Sequence, residues 1–161
     1  MEEQRKKVTI VLFSGTLDRA LAAFIIATSA AAMGMDVTIF FTFWGLNVLK
    51  RHGQQPKGKG WMRRMLNWMN RGTARQLPLS RFDFAGLGPW MMGRLMREQR
   101  MQSLPEMIVQ AKSLGVKFIV CTTSCGLMGI EQGNVIPEAD LFAGAATYLG
   151  EASKAQVNLF I

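Results

Sequence analysis

The chain has 161 residues, of which 49% are apolar and 19% are charged, and this composition excludes a disordered chain. Its single histidine, His52, argues against a histidine-based metal site and against a Ser-His-Asp triad. The formal net charge of +8 is unevenly distributed, because residues 50–101 contain twelve Lys and Arg against Asp83 and Glu98, and the remainder is slightly acidic.

The start of the chain is polar up to Lys7 and lacks the pattern of a secretory signal peptide. No stretch of about 18 uncharged apolar residues has the flanks of a membrane span. We therefore expect a single α/β domain over residues 1–161 in a reducing cytoplasm. There, we expect each of the two cysteines to be either a reactive thiol or a packed core residue, since structural disulfides are rare in that compartment.

The first part of the chain has the pattern of a strand, a helix and a second strand. Val8 to Phe13 is a continuous apolar run that stops at Ser14-Gly15-Thr16. Helical periodicity then continues to about Met33, Gly34 closes that helix, and Asp36 to Phe41 is a second buried-strand pattern. Short connections of this kind predict a βαβ unit and a parallel sheet.

The same alternation returns after residue 103. In order, the patterns predict a helix over Leu104 to Leu114, a strand over Val116 to Val120, a short helix over Thr122 to Met128, a strand over Ala139 to Phe142, a helix over Gly144 to Ser153 and a strand over Gln156 to Ile161. The sequence thus predicts a three-layer α/β/α fold with a mainly parallel sheet of about five strands.

Residues 50–101, the basic segment, are predicted to be a helical insertion rich in Met and Trp. It begins with a loop from Gly53 to Gly60 and contains two amphipathic helices, Trp61 to Asn70 and Pro89 to Met96. One interpretation is a flap that packs on the domain, on a neighbouring subunit or on a partner protein. A second is peripheral contact with an anionic membrane surface. Nucleic acid binding is the least favoured, because no recognised module is present.

Ligands of open parallel sheets bind outside the carboxyl ends of the strands, and Cys121 directly follows a predicted strand there. Amide groups at the start of the next helix would favour a thiolate or a persulfide, and Thr122, Thr123 and Ser124 would add hydroxyl donors. These residues predict a reactive cysteine. The alternative is that Cys121 is a small buried hydrophobic residue.

Two further features are candidates for the same edge of the sheet. Cys125 lies one helical turn after Cys121, a spacing suited to sulfur transfer, a regulatory disulfide or weak binding of a soft metal, and core packing is its alternative role. This spacing is not Cys-x-x-Cys, and the sequence has no second cysteine pair for a zinc site. Ser14-Gly15-Thr16 is a candidate substrate-binding turn, although helix capping explains its Ser and Thr equally well.

These residues resemble a known family. The run Phe118-Ile119-Val120-Cys121 followed by Gly129-Ile130, the turn Ser14 to Asp18, and the strand end Phe41 to Gly45 are similar to the DsrE/DsrF-like (TusD-like) sulfur-relay family. The resemblance covers most of the chain except the basic segment. That segment and Cys125 resemble the DsrE-type subgroup described as sulfurtransferase or peroxiredoxin-like.

The resemblance implies a sulfur carrier that accepts sulfane sulfur on Cys121 as a persulfide, without a cofactor, and passes it to a partner protein. It also implies a homo-oligomer, a trimer or hexamer, with sulfur donor and acceptor proteins as partners, and a second role for Cys125. The basic segment departs from the TusD pattern, so the partners of TusD are not carried over. A non-catalytic interaction subunit and a dithiol redox switch remain alternatives, and the sequence leaves open whether the protein is an enzyme.

Overall fold

Five parallel strands form the centre of the protein in the computed structural model, which describes residues 5–52, 60–62, 65, 70 and 72–161. The strands are β1 Lys7–Leu12, β2 Asp36–Phe41, β3 Lys117–Cys121, β4 Leu141–Ala143 and β5 Val157–Phe160. Their order across the sheet is β4-β3-β2-β1-β5. The predicted α/β fold with about five parallel strands is confirmed.

In the described ranges of the chain, the helices beside the sheet are α1 Leu17–Ala32, α2 Leu87–Glu98, α3 Leu104–Ser113, α4 Thr122–Met128 and α5 Ala145–Ala152. Short 3₁₀ turns cover Phe43–Leu49, Phe84–Gly86 and Gln132–Asn134. Local chemistry explains several of the boundaries. Ser103 and Glu106 form a capping box at the start of α3, and Gly34 and Gly129 adopt positive φ angles after α1 and α4.

Alternation along the strands divides the apolar side chains between the two faces of the sheet. One face, with Leu12, Phe41 and Phe118, belongs to the main core together with α1 and α3. The aromatic rings of Phe41 and Phe118 meet there edge to face, with centroids 5.3 Å apart. This face therefore contains most of the buried apolar surface that stabilises the fold.

The opposite face, which we call the α5 face, has a smaller cluster of Val11, Phe40, Ile119 and Cys121. All residues of α5 remain at least partly exposed. The ring of Tyr148 on α5 stacks on Phe40 with centroids 4.9 Å apart. Glu151 also forms ion pairs with Lys7 and Lys117, and both lysines lie on the sheet. The short helix α5 thus packs on this face.

The described part of the basic segment packs beside the start of α1. The amide of Leu17 donates to the carbonyl of Pro78 over 2.8 Å, and the amide of Ser80 donates to the Asp18 carboxylate over 3.1 Å. The predicted helix Pro89 to Met96 is present and extends over Leu87–Glu98. The predicted loop Gly53 to Gly60 and most of the predicted helix Trp61 to Asn70 lie outside the described residues.

Over the parts of the chain that the structure describes, the helices are too short or too polar to cross a bilayer.

Candidate functional site

Strand register brings the residues that end β1, β2, β3 and β4 into one row. Leu12 pairs with Phe41, Phe41 with Val120, and Cys121 with Ala143. One residue further along each chain, the row consists of Phe13, Thr42, Cys121 and Ala143. Cys121 is the last residue of β3, so the observed strand ends one residue later than the predicted one. Thr42, which directly follows β2, is consequently the neighbour of Cys121 in this row.

A chain of hydroxyl groups leads from β2 to the sulfur of Cys121. The Ser124 hydroxyl donates to Cys121 Sγ over 3.4 Å, and Ser124 Oγ lies 2.8 Å from Thr42 Oγ1. Ser124 is 1% exposed and Thr42 is 8% exposed, so water competes little for these hydrogen bonds. This arrangement fixes a donor on the sulfur.

Two opposed effects set the acidity of Cys121. Burial raises the pKa of the thiol, because a buried thiolate loses its hydration. Hydrogen bonds from the hydroxyl and amide of Ser124, from the hydroxyl of Thr42 and from the amide of Thr123 favour the thiolate. The hydrogen bonds prevail, and the pKa of Cys121 lies below its ordinary value of 9.0. Cys121 is therefore the more nucleophilic of the two cysteines at neutral pH.

Cys125 has a different environment. Its side chain belongs to the main core, whereas Cys121 belongs to the cluster of the α5 face. Burial, together with the nearby charge of Cys121, raises the pKa of Cys125 to about 11. Both cysteines are free thiols. At neutral pH, Cys125 is consequently a protonated thiol beside a more acidic one.

The turn Ser14-Gly15-Thr16 lies at the same edge of the sheet but makes a separate arrangement. The hydroxyls of Ser14 and Thr16 lie 3.1 Å apart and hydrogen bond to each other. A Cβ atom at position 15 would lie 2.6 Å from the carbonyl oxygen of Trp44, so this position requires glycine. Among the described hydrogen bonds, none joins this turn to Cys121. Its predicted role in binding substrate stays a prediction.

The surroundings of Cys121 combine an exposed side and an apolar side. Thr122 and Thr123 are exposed next to the sulfur, while Cys121 itself is 6% exposed. On the apolar side, Tyr148 packs against the cluster that contains Cys121. Cys121 is thus largely shielded from solvent, and the two residues that follow it in the chain are exposed.

An aromatic cluster borders the same row. Phe13 lies with its ring centroid 5.3 Å from Phe43 and 5.8 Å from Phe160. The outer two rings are solvent-exposed. The sequence analysis gave no role to Phe13, Phe43, Phe160, Thr42 or Tyr148. For Thr42 the signal was available, because it directly follows the second predicted strand.

Other places for a ligand are distinct from the cysteines. A cavity of about 1240 Å³ lies between α2, the start of α3 and residues 72–78, and its lining includes Leu77, Trp90 and Met96. Neither cysteine lines it. Within the described ranges, no group of three His, Cys, Asp or Glu side chains is placed to hold a metal ion.

The fold is shared with solved structures of low sequence identity. The ychN protein from E. coli has a TM-score of 0.59 and 12% identity, and the comparison covers 98% of this chain and 100% of that one. The protein MTH1491 from Methanobacterium thermoautotrophicum has a TM-score of 0.58 and 10% identity, with 97% and 99% covered. These similarities establish the architecture alone.

Sequence relatives extend over the whole chain. The protein YrkE of Bacillus subtilis is 43% identical over 161 residues, which are all of both chains. The sulfur carrier protein DsrE2 of Allochromatium vinosum is 30% identical over 164 residues, covering 98% of this chain and 99% of that protein. A sequence model of the DsrE/DsrF/DrsH-like family matches residues 4–160. With the match and both relatives spanning nearly its full length, the chain belongs to the DsrE/DsrF/DrsH-like family.

Proposed function

We propose that this protein is a sulfur carrier that accepts sulfane sulfur on Cys121 as a persulfide and passes it to a partner protein. Membership of the family and the 30% identity to a protein named as a sulfur carrier support a role in sulfur relay. The observation that carries the assignment to Cys121 is the hydroxyl chain from Thr42 through Ser124 to its sulfur. This chain favours the thiolate, which is the form that attacks sulfur.

The proposed transfer is a thiol–disulfide type of exchange. The Cys121 thiolate attacks the terminal sulfur of a donor persulfide, R–S–SH. A new S–S bond forms on Cys121, the S–S bond of the donor breaks, and the donor leaves as the thiolate R–S⁻. The attached sulfur keeps its proton or releases it to water. The exchange has no net oxidation, so the step itself requires no redox cofactor.

The persulfide anion would lie close to where the thiolate charge lies now. Donors of the same hydroxyl chain, and the amides of Thr123 and Ser124, are the groups available to stabilise it. An acceptor thiolate then removes the terminal sulfur and regenerates the Cys121 thiolate. Thr122 and Thr123 are exposed on the side from which such a partner would approach.

Cys125 has a subsidiary role in this proposal. Its raised pKa keeps it protonated at neutral pH, so it is a poorer nucleophile than Cys121, whose pKa is lowered. Cys125 would act after Cys121. As an internal acceptor it would attack the outer sulfur of the Cys121 persulfide and release the Cys121 thiolate. As a resolving thiol it would attack the inner sulfur, form the Cys121–Cys125 disulfide and release HS⁻.

The proposed partners are sulfur donor and acceptor proteins together with further copies of this chain. The α5 face exposes Leu149 and Phe160, which a second copy would cover. We propose that the relay operates in the cytoplasm, because a reducing environment keeps Cys121 from being oxidised between transfers.

Intact-protein mass spectrometry after incubation with a persulfide donor tests the proposal. We expect the wild-type protein to gain the mass of one sulfur atom, with peptide mapping assigning it to Cys121. The Cys125→Ser variant should gain it as well, and the Cys121→Ser variant should not. Absence of the adduct, while Cys121 still reacts with an alkylating reagent, would contradict the carrier function.

The dithiol redox switch is the competing function, and the same variants separate it from the carrier. A switch predicts a reversible disulfide between Cys121 and Cys125, formed by mild oxidation and lost in both single variants. If the disulfide forms readily and no sulfur adduct appears on Cys121 in the Cys125→Ser protein, the switch replaces the carrier function.

A further inference from the structure

Large apolar side chains are concentrated on the outside of the protein along α2 and the loop that leads into it. Phe82 and Phe84 in the loop are 74% and 69% exposed. Leu87, Trp90, Met91 and Leu95 on α2 are each more than half exposed. We call these six residues the Phe82–Leu95 surface. Contiguous exposed apolar residues of this size are typical of an interaction site.

The orientation of α2 does not by itself explain this exposure. Gly88, Met92 and Met96 repeat every four residues and face the protein, and two of the three are fully buried. Leu87, Met91 and Leu95 repeat with the same spacing on the outside, with Trp90 beside them. An ordinary surface helix has polar residues in that outer row. In α2, both rows are apolar.

The backbone of the loop holds Phe82 and Phe84 outward. Phe82, Phe84 and Ala85 have φ angles of 60°, 41° and 56°, which side chains with a Cβ atom rarely adopt. The Asp83 carboxylate accepts a hydrogen bond from the amide of Leu79, and its carbonyl accepts one from Gly86. The two phenylalanine rings stack with centroids 6.2 Å apart. The loop thus has a specific conformation that presents two aromatic rings to solvent.

Contact between the loop and the helix fixes this conformation further. A Cβ atom at position 88 would lie 2.0 Å from the carbonyl oxygen of Phe82, so only glycine allows the loop to pack on the first turn of α2. The exposed loop and the outer row of the helix are therefore one connected structure.

The charge around the Phe82–Leu95 surface is positive. Residues 81–101 contain Arg81, Arg94, Arg97 and Arg100 against Asp83 and Glu98. Both carboxylates are engaged, since Asp83 accepts from Leu79 and Glu98 forms an ion pair with Arg94 over 3.1 Å. The basic segment as a whole has no acidic residue before Asp83. A surface that pairs aromatic and aliphatic side chains with arginines is complementary to an anionic lipid headgroup layer.

We propose that the Phe82–Leu95 surface docks this protein on an anionic bilayer surface, with the aromatic and aliphatic side chains inserted at the level of the headgroups and the arginines on the lipid phosphates. Met and Leu side chains would gain little from nucleic acid, which presents phosphates outside and stacked bases inside. The exposed rings are on a surface loop, which suits insertion between lipids. Docking would hold the sulfur carrier beside the membrane.

Co-sedimentation with vesicles of phosphatidylglycerol, and with vesicles of phosphatidylcholine, tests the docking. We expect the full-length protein to bind the anionic vesicles, to bind the zwitterionic ones weakly, and to be released progressively by salt. Phe82→Ser with Phe84→Ser should weaken binding by at least about tenfold, because two rings no longer enter the interface. Trp90→Ser with Leu95→Ser should weaken it similarly.

Val109→Ser is the matched control, because Val109 is an apolar residue on α3 with 61% exposure outside this surface. That variant should bind vesicles like the wild type. Failure of the wild type to bind either vesicle, or undiminished binding by both double variants, overturns the proposal. A change in subunit number in the variants without a change in vesicle binding would instead assign the surface to self-association. Persulfide formation on Cys121 is independent of these outcomes, so failure here leaves the carrier function standing.

Discussion

At the scale of single residues, the reactivity of Cys121 depends on Ser124 more than on any other side chain. A buried thiol without hydrogen-bond donors is a weak nucleophile, because desolvation disfavours the thiolate. The Ser124 hydroxyl donates to the sulfur and lies 2.8 Å from the Thr42 hydroxyl, which also favours the thiolate. The acidity of Cys121 is thus a property of this short chain of hydroxyl groups.

We expect Ser124→Ala to raise the pKa of Cys121, because the hydroxyl no longer stabilises the thiolate while burial still opposes it. In a Cys125→Ser background, alkylation by iodoacetamide measured across pH should show a midpoint displaced to higher pH. The alkylation rate at neutral pH should fall several-fold. At alkaline pH the rates with and without Ser124→Ala should converge, because Cys121 is then ionised in both proteins.

Thr123→Ala is the control for this experiment, since Thr123 acts on the sulfur through its backbone amide, which the substitution retains. Its alkylation profile should match that of the wild type. A Ser124→Ala profile that coincides with the wild type at every pH would show that the hydroxyl does not set the acidity of Cys121.

The sequence was sufficient to place Cys121 and Ser124 at the carboxyl end of a strand, because both follow a recognisable buried run, and their role in the chemistry stays a prediction. The sequence was insufficient for the contact of Thr42 with Ser124 and for the position of Tyr148, although Thr42 directly follows a predicted strand. Their proximity to Cys121 depends on which strands are neighbours and in what register, and on which face α5 packs. Neither property is encoded in the local pattern around these residues. The separate packing of Cys125 in the main core has the same origin.

At the scale of secondary-structure elements, the 3₁₀ turn after β2 connects the sheet to the basic segment through buried polar groups. Asn47 Nδ2 donates to Asn70 Oδ1 over 2.5 Å, and Lys50 Nζ donates to the carbonyl of Asn70 over 3.2 Å. Lys50 is 6% exposed, and its backbone forms an antiparallel bridge with Val135. A lysine ammonium in such a place is costly, because its hydration is lost.

Burial lowers the pKa of Lys50 to about 8 from an ordinary value of 10.5. Between these values the unfolded chain binds a proton that the folded chain does not, so the free energy of unfolding should rise with pH across this window. Lys50→Met should flatten that rise, because the titrating group is absent. Urea denaturation at a series of pH values measures the difference between the two proteins.

Lys154→Met provides the comparison, since it removes a lysine at an exposed position and leaves Lys50 in place. The expectation concerns the difference between Lys50→Met and wild type, because the cysteine thiols, with an ordinary pKa of 9.0, also contribute to the pH dependence. If wild type and Lys50→Met have parallel stability curves between pH 8 and 10.5, Lys50 keeps its ordinary pKa in the folded protein.

Elements with strong periodicity were predictable to within about two residues, and elements that depend on tertiary contacts were less so. β2 and α4 have the predicted bounds, because a continuous apolar run and a terminal glycine define them locally. The strand Ala139 to Phe142 is shifted to Leu141–Ala143, where its pairing with β3 rather than its own sequence determines the bounds. The helix α2 is longer than predicted at both ends.

At the scale of the whole molecule, the two faces of the sheet are unequally covered. Among the described residues, the main-core face is covered by α1 and α3, whereas the α5 face is covered by α5, whose residues are all at least partly exposed. Phe160 pairs in register with Val11, which places its side chain on the α5 face, the face that also includes Cys121. The apolar edge of this face therefore borders the candidate site.

We expect this face to be covered by another copy of the chain in solution. Phe160 is 72% exposed and Leu149 is 61% exposed, and burying each side chain would contribute about 2 kcal/mol per copy. Phe160→Asp should therefore shift the protein towards smaller species in sedimentation velocity, with the dissociation constant raised by at least about tenfold. Val109→Asp, at an equally exposed position on α3, should leave the subunit number unchanged.

The same experiment connects self-association with the chemistry of the site. If a second copy covers the α5 face, it lies beside the row that contains Thr42 and Cys121, and it restricts access to the sulfur. Phe160→Asp should then also increase the alkylation rate of Cys121 at low protein concentration. A wild-type protein that is monomeric at all concentrations, with an alkylation rate equal to that of Phe160→Asp, would show that the α5 face is free. The exposed phenylalanine would then be available to the sulfur donor or acceptor itself.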